Sequence, residues 1–160
     1  MVTIPNKIKQ MIQRQQIIIV GSADKSGLSN VSPRTSFYVD QDDSIYWLEL
    51  FRHKTFRNFQ KNSWCSIAVF DKKKISGYQL KGKIKIISDK KTKQEITIKI
   101  IDKLTRLHKQ RILKHTNTKT LNIVKFKAHI IYSLNPNELA DSPLELDANN
   151  ESVKAANMQW

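Results

Sequence analysis

The chain has 160 residues, 39% of them apolar and 26% charged, a composition typical of one globular domain with a substantial core. No apolar run approaches the roughly 20 residues of a membrane-spanning helix, and the run at 17–20 is too short for a signal peptide. The single cysteine, Cys65, excludes an internal disulfide and predicts a buried, inert thiol. We therefore expect a protein of the reducing cytoplasm.

The net charge of +14 is unevenly distributed along the chain. Residues 81–127 hold thirteen lysines and two arginines against three acids, whereas residues 136–160 carry a net charge of −4. A basic middle with an acidic tail fits a nucleic-acid surface, a need for solubility, or attraction between tail and body in a dimer. Charge alone leaves these alternatives open.

The first forty residues predict a helix and a hairpin. Pro5 suits the first turn of a helix that has one apolar face. That face carries Ile8, Met11 and Ile12. A buried strand over 16–20 and a turn over 24–27 lead into a partner strand over 28–40, where Pro33 implies a bend or bulge.

The next segments predict three strands and a short helix. A turn over 41–44 precedes a strand over 45–50, and strands over 64–70 and 77–88 form a second hairpin. In the last of these strands, lysines at every second position alternate with Gly82, Ile84 and Ile86, which predicts one wet face. Those lysines are Lys81, Lys83 and Lys85.

A basic turn over 51–58 joins the 45–50 strand to a short helix predicted over 55–62. Backbone N–H groups at the start of a helix, flanked by Lys and Arg, suit a phosphate group. A solvated basic turn explains the same residues, so this segment by itself does not decide between the two interpretations.

The second half of the chain predicts one long helix and a last strand. Thr92 and Glu95 fit a capping box at the start of a helix over 92–114. The apolar stripe of this helix consists of Ile96, Ile100, Leu104 and Leu107. Lys125 and Lys127 alternate with apolar residues in the last strand. Periodicity ends near Pro136, so we expect a domain over 1–135 and a flexible tail over 136–160.

Strands connected mostly by hairpins indicate a small closed or partly closed antiparallel barrel, mainly β with helices. Three segments add a family resemblance: 27–34, 53–58 followed by Asn62, and 77–82. With these segments the chain resembles the pyridoxamine-phosphate-oxidase-like family of FMN-binding split barrels, over about residues 4–135. The resemblance implies a six-stranded antiparallel split β-barrel, and a homodimer with FMN in clefts at the subunit interface.

The resemblance also implies a set of FMN contacts. The bend of the second strand and the end of the third strand contact the isoalloxazine ring through Val31, Ser32, Pro33, Arg34, Thr35, Leu48, Glu49 and Leu50. The following loop and helix start hold the phosphate through Arg52, His53, Lys54 and Thr55. Lys54 acts there as a point charge, and Thr55 offers a hydroxyl and an N–H. Tyr78 reaches the flavin from the other subunit, and Asn58 braces the helix.

The resulting hypothesis is an FMN-dependent oxidoreductase whose electron donor is a nicotinamide, another small molecule or a reduced protein. No catalytic residue is identified. The chain lacks the terminal Arg-Leu-x-Pro signature of true pyridoxamine phosphate oxidases, so the vitamin B6 reaction is not predicted. The alternatives are a deazaflavin- or haem-binding split barrel and a basic nucleic-acid-binding barrel.

Two further site classes are less favoured. Nucleic-acid binding interleaves aromatic rings with cations on one face, and in sequence Tyr78 is the aromatic residue nearest to the first lysine row. His108, His115 and His129 lack the spacing of metal ligands, so no metal site is expected.

Overall fold

The computed structural model describes residues 1–50, 52–115, 121–138, 142–151 and 153. Its elements, in chain order, are α1 (Asn6–Gln15), β1 (Ile18–Ala23), β2 (Ser29–Arg34), β3 (Phe37–Val39), β4 (Ser44–Glu49), α2 (Lys54–Phe59), β5 (Trp64–Asp71), β6 (Ser76–Ile87), α3 (Lys90–Lys103), α4 (Arg106–His115), β7 (Asn122–Ser133) and β8 (Glu145–Leu146).

The strands form one antiparallel sheet in the order β2-β1-β5-β6-β7-β4-β3, with β8 added to β7. The two edge strands, β2 and β3, are consecutive in the chain and only Thr35 and Ser36 separate them. The sheet therefore curls until its two edges meet, which makes an antiparallel split barrel. The predicted fold class is confirmed, and the split lies between β2 and the β3–β4 pair.

Two details differ from the predicted six strands. The segment over 28–40 is two strands rather than one, and the break comes at Thr35–Ser36, not at Pro33. Pro33 stays in β2, paired with Ile19 of β1. Because β2 is an edge strand, the missing N–H of proline costs no ladder hydrogen bond on its outer side. The short β8 is the other additional strand.

The main core fills the barrel, with α1 over one end. Residues of every second position in β1, β5 and β6 point inward, including Ile18, Ile67 and Leu80, all fully buried. Ile8 and Ile12 of α1 are fully buried against the same cluster, and Met11 is 6% exposed. The amphipathic N-terminal helix is therefore confirmed. Cys65 lies in this core, where burial raises the pKa of its thiol and keeps it protonated and inert.

A second apolar cluster covers the outer face of β4 and β7, so that all six residues of β4 are buried. It is closed by the helices that follow β6, through Ile96, Ile100 and Ile112. The predicted single helix over 92–114 is wrong in two ways. The first is that Leu104 leaves the helical conformation and separates α3 from α4. The second is that the N-cap is Asp89, whose carboxylate accepts from Thr92 N at 2.7 Å, rather than Thr92 itself.

Residues 144–147, which belong to the predicted flexible tail over 136–160, pair with the sheet; residues 139–141, 152 and 154–160 of that tail lie outside the described residues. Leu146 pairs with Ile130 and Glu145 with Ile131, so β8 extends the sheet beyond β7. Asp147 N then donates to His129 O at 2.8 Å. Sheet pairing of this kind depends on main-chain groups, which leave no periodic signal in the sequence. Among the described residues, no helix is long and apolar enough to cross a membrane.

Candidate functional site

A cleft of about 280 Å³ opens at the split of the barrel. Its wall consists of the β2 end and the bend after it, the β4 end and the start of α2. The lining residues are Ser32, Pro33, Arg34, Thr35, Ser36, Leu48, Glu49, Leu50, His53 and Thr55. Nine of these belong to the predicted contact set, so the fold brings together residues that are up to 23 positions apart in the chain.

One wall of the cleft is a buried ion pair between neighbouring strand ends. Arg34 Nε and Nη2 donate to Glu49 Oε1 at 3.0 and 2.7 Å, and Trp47 Nε1 donates to the same oxygen at 2.9 Å. The remaining amino group, Arg34 Nη1, donates to Ser32 Oγ at 2.9 Å and to Pro33 O at 2.8 Å. The side chains of Arg34 and Glu49 are 15% and 6% exposed. The guanidinium is thereby fixed in position and its charge compensated.

A chain of hydroxyl and amide groups continues from Arg34 to α2. Asn30 Nδ2 donates to Thr55 Oγ1 at 2.8 Å, and Ser32 Oγ lies 3.0 Å from Thr55 Oγ1. Each hydroxyl has one hydrogen and two acceptor positions. The Arg34 and Asn30 donors each occupy one acceptor position, and the hydrogen bond between Ser32 and Thr55 uses one of the two hydroxyl hydrogens. Among the described residues, the other hydroxyl hydrogen has no acceptor, so this wall is equipped to donate to one.

The start of α2 presents cations beside main-chain donors. His53 is the N-cap residue in extended conformation, and its side chain makes no capping hydrogen bond. Arg52, His53 and Lys54 are exposed. The helix is held on the barrel by Asn58, whose Nδ2 donates to Ser22 Oγ of β1 at 3.1 Å. This contact is consistent with the predicted bracing role of Asn58. The N–H groups before the first helical hydrogen bond lack a helical acceptor, an arrangement that favours binding of an anion.

Ser36 is the lining residue that sequence inference missed. Its carbonyl oxygen accepts from Leu48 N at 3.0 Å and ties the bend to β4. That N–H is consequently used within the protein. Pro33 predicted a bend in the 28–40 strand, but the break that contains Ser36 lies at Thr35–Ser36.

Several predicted contacts lie outside the cleft of the single chain. Val31 is 66% exposed and lines a different, open groove on the outer face of the sheet. Arg52 and Lys54 flank the cleft in sequence without lining it. Tyr78 lies on β6 against the main core, with Lys7 Nζ 5.6 Å from its ring centroid.

The described residues contain no group of three or more His, Cys, Asp or Glu side chains that could hold a metal ion. His129 instead lies within hydrogen-bonding distance of Asp147, at 2.8 Å from Nδ1 to Oδ2. His115, for which no metal role was expected either, lies at the end of α4.

Comparison with known proteins agrees with this architecture. The family model of pyridoxamine 5'-phosphate oxidase matches residues 4–133. No curated protein sequence matches the chain.

Solved structures share the fold at low sequence identity. HupZ from Group A Streptococcus is 20% identical with a TM-score of 0.65, covering 84% of this chain and 96% of its own. The haem storage protein HutZ from Vibrio cholerae is 14% identical with a TM-score of 0.62, covering 82% and 94%. A Clostridium acetobutylicum protein related to general stress protein 26 of B. subtilis, of the pyridoxinephosphate oxidase family, is 15% identical with a TM-score of 0.65, covering 82% and 88%.

Identities this low support a common fold and say nothing about a common ligand. The family match spans most of the chain and coincides with the split barrel and its cleft. The chain belongs to the pyridoxamine 5'-phosphate oxidase family and has its split-barrel fold.

Proposed function

We propose that this protein binds FMN in the cleft at the split of the barrel and acts as an FMN-dependent oxidoreductase. The observation that carries the proposal is the donor set of the cleft wall. Arg34 is fixed by Glu49, and the Ser32–Thr55 hydroxyl pair has one hydrogen left to donate. A ligand that presents an acceptor oxygen to this wall fits it, and a flavin phosphate or ring carbonyl has one.

The start of α2 suits the phosphate end of FMN. Its first-turn N–H groups precede the first helical hydrogen bond, which Arg57 N donates to His53 O at 3.1 Å. Arg52 and Lys54 add exposed cations on either side of His53. A phosphate carrying close to two negative charges is attracted by this combination, with Lys54 as a mobile point charge. Thr55 is 4% exposed, and its hydroxyl acts chiefly by joining α2 to β2.

The β2–β3 bend and the end of β4 suit the ring end. Pro33, Leu48 and Leu50 supply apolar contacts on either side of the polar groups of Thr35 and Arg34. A bound FMN supplies hydride or single-electron chemistry. The residues of this chain bind the cofactor, orient it against a rigid strand pair, and hold the Arg34 charge in place beside it.

A second copy of the chain is part of the proposal. The cleft of one chain measures about 280 Å³, below the roughly 300–1,000 Å³ of pockets that enclose a drug-sized ligand. One protomer therefore covers only part of an FMN molecule, and a homodimer with the cofactor between its subunits completes the enclosure. Tyr78 belongs to the surface that the partner contributes in this arrangement.

The test is a visible absorption spectrum of freshly purified protein, followed by mass analysis of the released chromophore. Release of about one FMN per protomer by that measurement supports the proposal. A released chromophore with the mass of a deazaflavin overturns it. Anaerobic titration with NADH, NADPH or dithionite then separates turnover with a nicotinamide donor from simple cofactor storage. A colourless protein that also fails to bind added FMN contradicts the cofactor assignment.

A haem-binding split barrel is the second candidate. His53 lines the same cleft, and an imidazole nitrogen is a common axial ligand of haem iron. The structural neighbour HutZ is a haem storage protein. The same spectrum decides between the two, because haem has an intense Soret band and flavin does not. His53→Ala should abolish that band if haem is the ligand and should leave the flavin bands if FMN is.

A further inference from the structure

A second cavity, of about 340 Å³, adjoins the cofactor cleft. The two share Thr35, the first residue of the bend between β2 and β3. The second cavity lies between the end of α1, strand β3 and the junction of α3 with α4. Its lining residues are Gln13, Gln16, Thr35, Phe37, Tyr38, Val39, Lys103, Leu104, Thr105 and His108.

The cavity exists because the helical segment breaks. Leu104 has an extended ψ of 148°, so Lys103 ends α3 and His108 lies in the first turn of α4. Both side chains consequently line the space over β3. A continuous helix over 92–114 would separate these two residues by more than one turn along a straight axis. The break therefore turns a covering helix into one wall of a pocket.

The lining chemistry combines aromatic rings with one cation that lacks a carboxylate partner. Lys103 Nζ lies 4.7 Å from the Tyr38 ring centroid, and no carboxylate of the described residues lies within 4.0 Å of that nitrogen. Lys99, one turn earlier, also lies over this ring, at 5.4 Å, but it pairs with Asp40 Oδ2 at 4.0 Å. Only Lys103 of this pair lines the cavity.

The surroundings favour a negatively charged occupant. Residues 90–115 carry nine lysines and arginines against two acids. The Tyr38 phenol stays neutral, because burial and the hydrogen bond to Asp40 raise its pKa. The phenol donates to Asp40 Oδ1 at 3.1 Å, which leaves the carboxylate of Asp40 engaged on that side. Asp40 and Asp42 also act on Tyr38, but Asp40 pairs with Lys99 and Asp42 pairs with Lys125 and Lys127. The field of the helices at the cavity is therefore positive overall.

We infer that this second cavity binds the reaction partner of the cofactor, a small planar aromatic molecule that carries a carboxylate or a similar anionic group. The aromatic part lies along the free edge of β3, between Phe37 on the barrel side and Tyr38 on the outer side. Lys103 holds the anionic group, with Gln13, Gln16 and Thr105 as further donors. The inference rests on the proposed function, because the shared Thr35 wall matters for chemistry only if the neighbouring cleft holds the cofactor.

The test is isothermal titration of the FMN-loaded protein with 2-naphthoate, using 2-naphthamide as the uncharged analogue. Wild-type protein should bind 2-naphthoate more tightly than 2-naphthamide. Lys103→Gln should weaken 2-naphthoate about tenfold, the lower range for a hydrogen bond to a charged group, and should leave the amide unchanged. Lys99→Gln is the matched control, on the same helix and over the same ring, and should leave 2-naphthoate affinity within about twofold of wild type.

Two results overturn the inference: no binding of 2-naphthoate by wild-type protein, or equal weakening by Lys99→Gln and Lys103→Gln, which indicates general charge attraction. Flavin content is measured on every sample. A protein that binds no FMN but binds 2-naphthoate through Lys103 contradicts the proposed cofactor and retains the cavity as a ligand site. A protein that holds FMN and ignores 2-naphthoate contradicts the inference alone.

Discussion

The cleft at the split of the barrel and the outer lysine rows of β6 and β7 are both basic, but their cations are held in different ways. The outer lysine rows consist of Lys81, Lys83, Lys85, Lys125 and Lys127. In the cleft, Arg34 makes hydrogen bonds to three different groups and is mostly buried. In the outer rows each ammonium group is solvated, lies over a ring of its own protein or pairs with the half-exposed Asp42.

The cleft therefore holds a cation in a fixed position, whereas the outer rows supply only general positive charge. A guanidinium held by fixed partners keeps its geometry for a ligand, whereas flexible lysines on a sheet surface contribute a field that salt screens. Tyr78 is the aromatic residue nearest to the first row in sequence, but in the structure Trp64 lies under Lys83 at 5.2 Å and Tyr132 under Lys81 at 4.9 Å. Cross-strand neighbours come from β5 and β7, which sequence distance does not show.

The largest expected effect is on the buried pair of the cleft. Glu49→Ala leaves the Arg34 cation and the Trp47 N–H without their shared acceptor, so we expect a loss of about 3–5 kcal/mol in the free energy of unfolding. Denaturant unfolding measures it. Arg14→Ala is the control. Arg14 pairs with Asp71 at 2.8 Å and is 51% exposed, and Asp71, although 7% exposed, also accepts from Lys73 N and Lys74 N, so the loss should be at most about 1 kcal/mol. Equal losses for the two variants would show that burial does not distinguish the pairs.

The next effect is a change in ligand affinity with no change in the stability of the fold. Lys54→Ala should weaken FMN about ten- to a hundredfold, the range for a hydrogen bond to a charged group, and should leave the unfolding midpoint unchanged. The control is Lys61→Ala, also exposed and just beyond the end of α2. Flavin fluorescence titration measures both. Unchanged affinity in Lys54→Ala places the phosphate away from the start of α2.

A smaller effect depends on pH and lies at the outer rows. Burial raises the pKa of Asp42, but hydrogen bonds from Ser44, Lys127 and Lys125 outweigh it and hold that pKa well below its usual value of 3.8. The stabilisation is therefore present above pH 3.8 and is lost as the pH falls below it. Since Asp42 is 49% exposed, Asp42→Asn should cost at most about 1 kcal/mol at pH 7.

Unfolding curves of wild type and Asp42→Asn measured from pH 7 downward check this dependence. The difference between the two proteins should shrink in acid. A difference that stays constant to low pH contradicts the ion-pair explanation.

The smallest effect is expected from the lysines of the outer rows that pair with no carboxylate of the described residues. Lys83→Gln combined with Lys85→Gln should change the free energy of unfolding by no more than about 0.5 kcal/mol and should leave FMN affinity unchanged. Retention on single-stranded DNA at rising salt is the second measurement. A steep salt dependence in wild type that this double variant reduces would make the outer lysine rows a nucleic-acid surface.

Local signals in the sequence predicted much of the molecule. The turn over 24–27 has Gly27 at φ 87°, which a glycine adopts without strain. The alternating lysines predicted the solvent-exposed face of β6. The basic turn after the 45–50 strand predicted the start of α2 within one residue. Nine cleft residues were among the contacts implied by the family resemblance, whose motifs lie at strand ends and turns.

Other features were beyond prediction because they depend on contacts across the fold. The break at Leu104 lies within a good helical pattern, and packing of α3 and α4 on β3 and β4 decides where the helix ends. The pairing of β8 and the role of Ser36 depend on main-chain hydrogen bonds, which any residue can make.

By itself the sequence determined the antiparallel barrel and the core positions, since periodicity and turn chemistry are local properties, and its family resemblance implied the set of residues at the strand ends. Only the tertiary structure decided how those residues bond to one another. It joined Arg34 to Glu49, committed the Thr55 hydroxyl to Asn30 and Ser32, and set the second cavity beside the first at Thr35. The physical reason is that closing the sheet brings its two edges together, and distances across that closure are set by the fold and not by the spacing of residues along the chain.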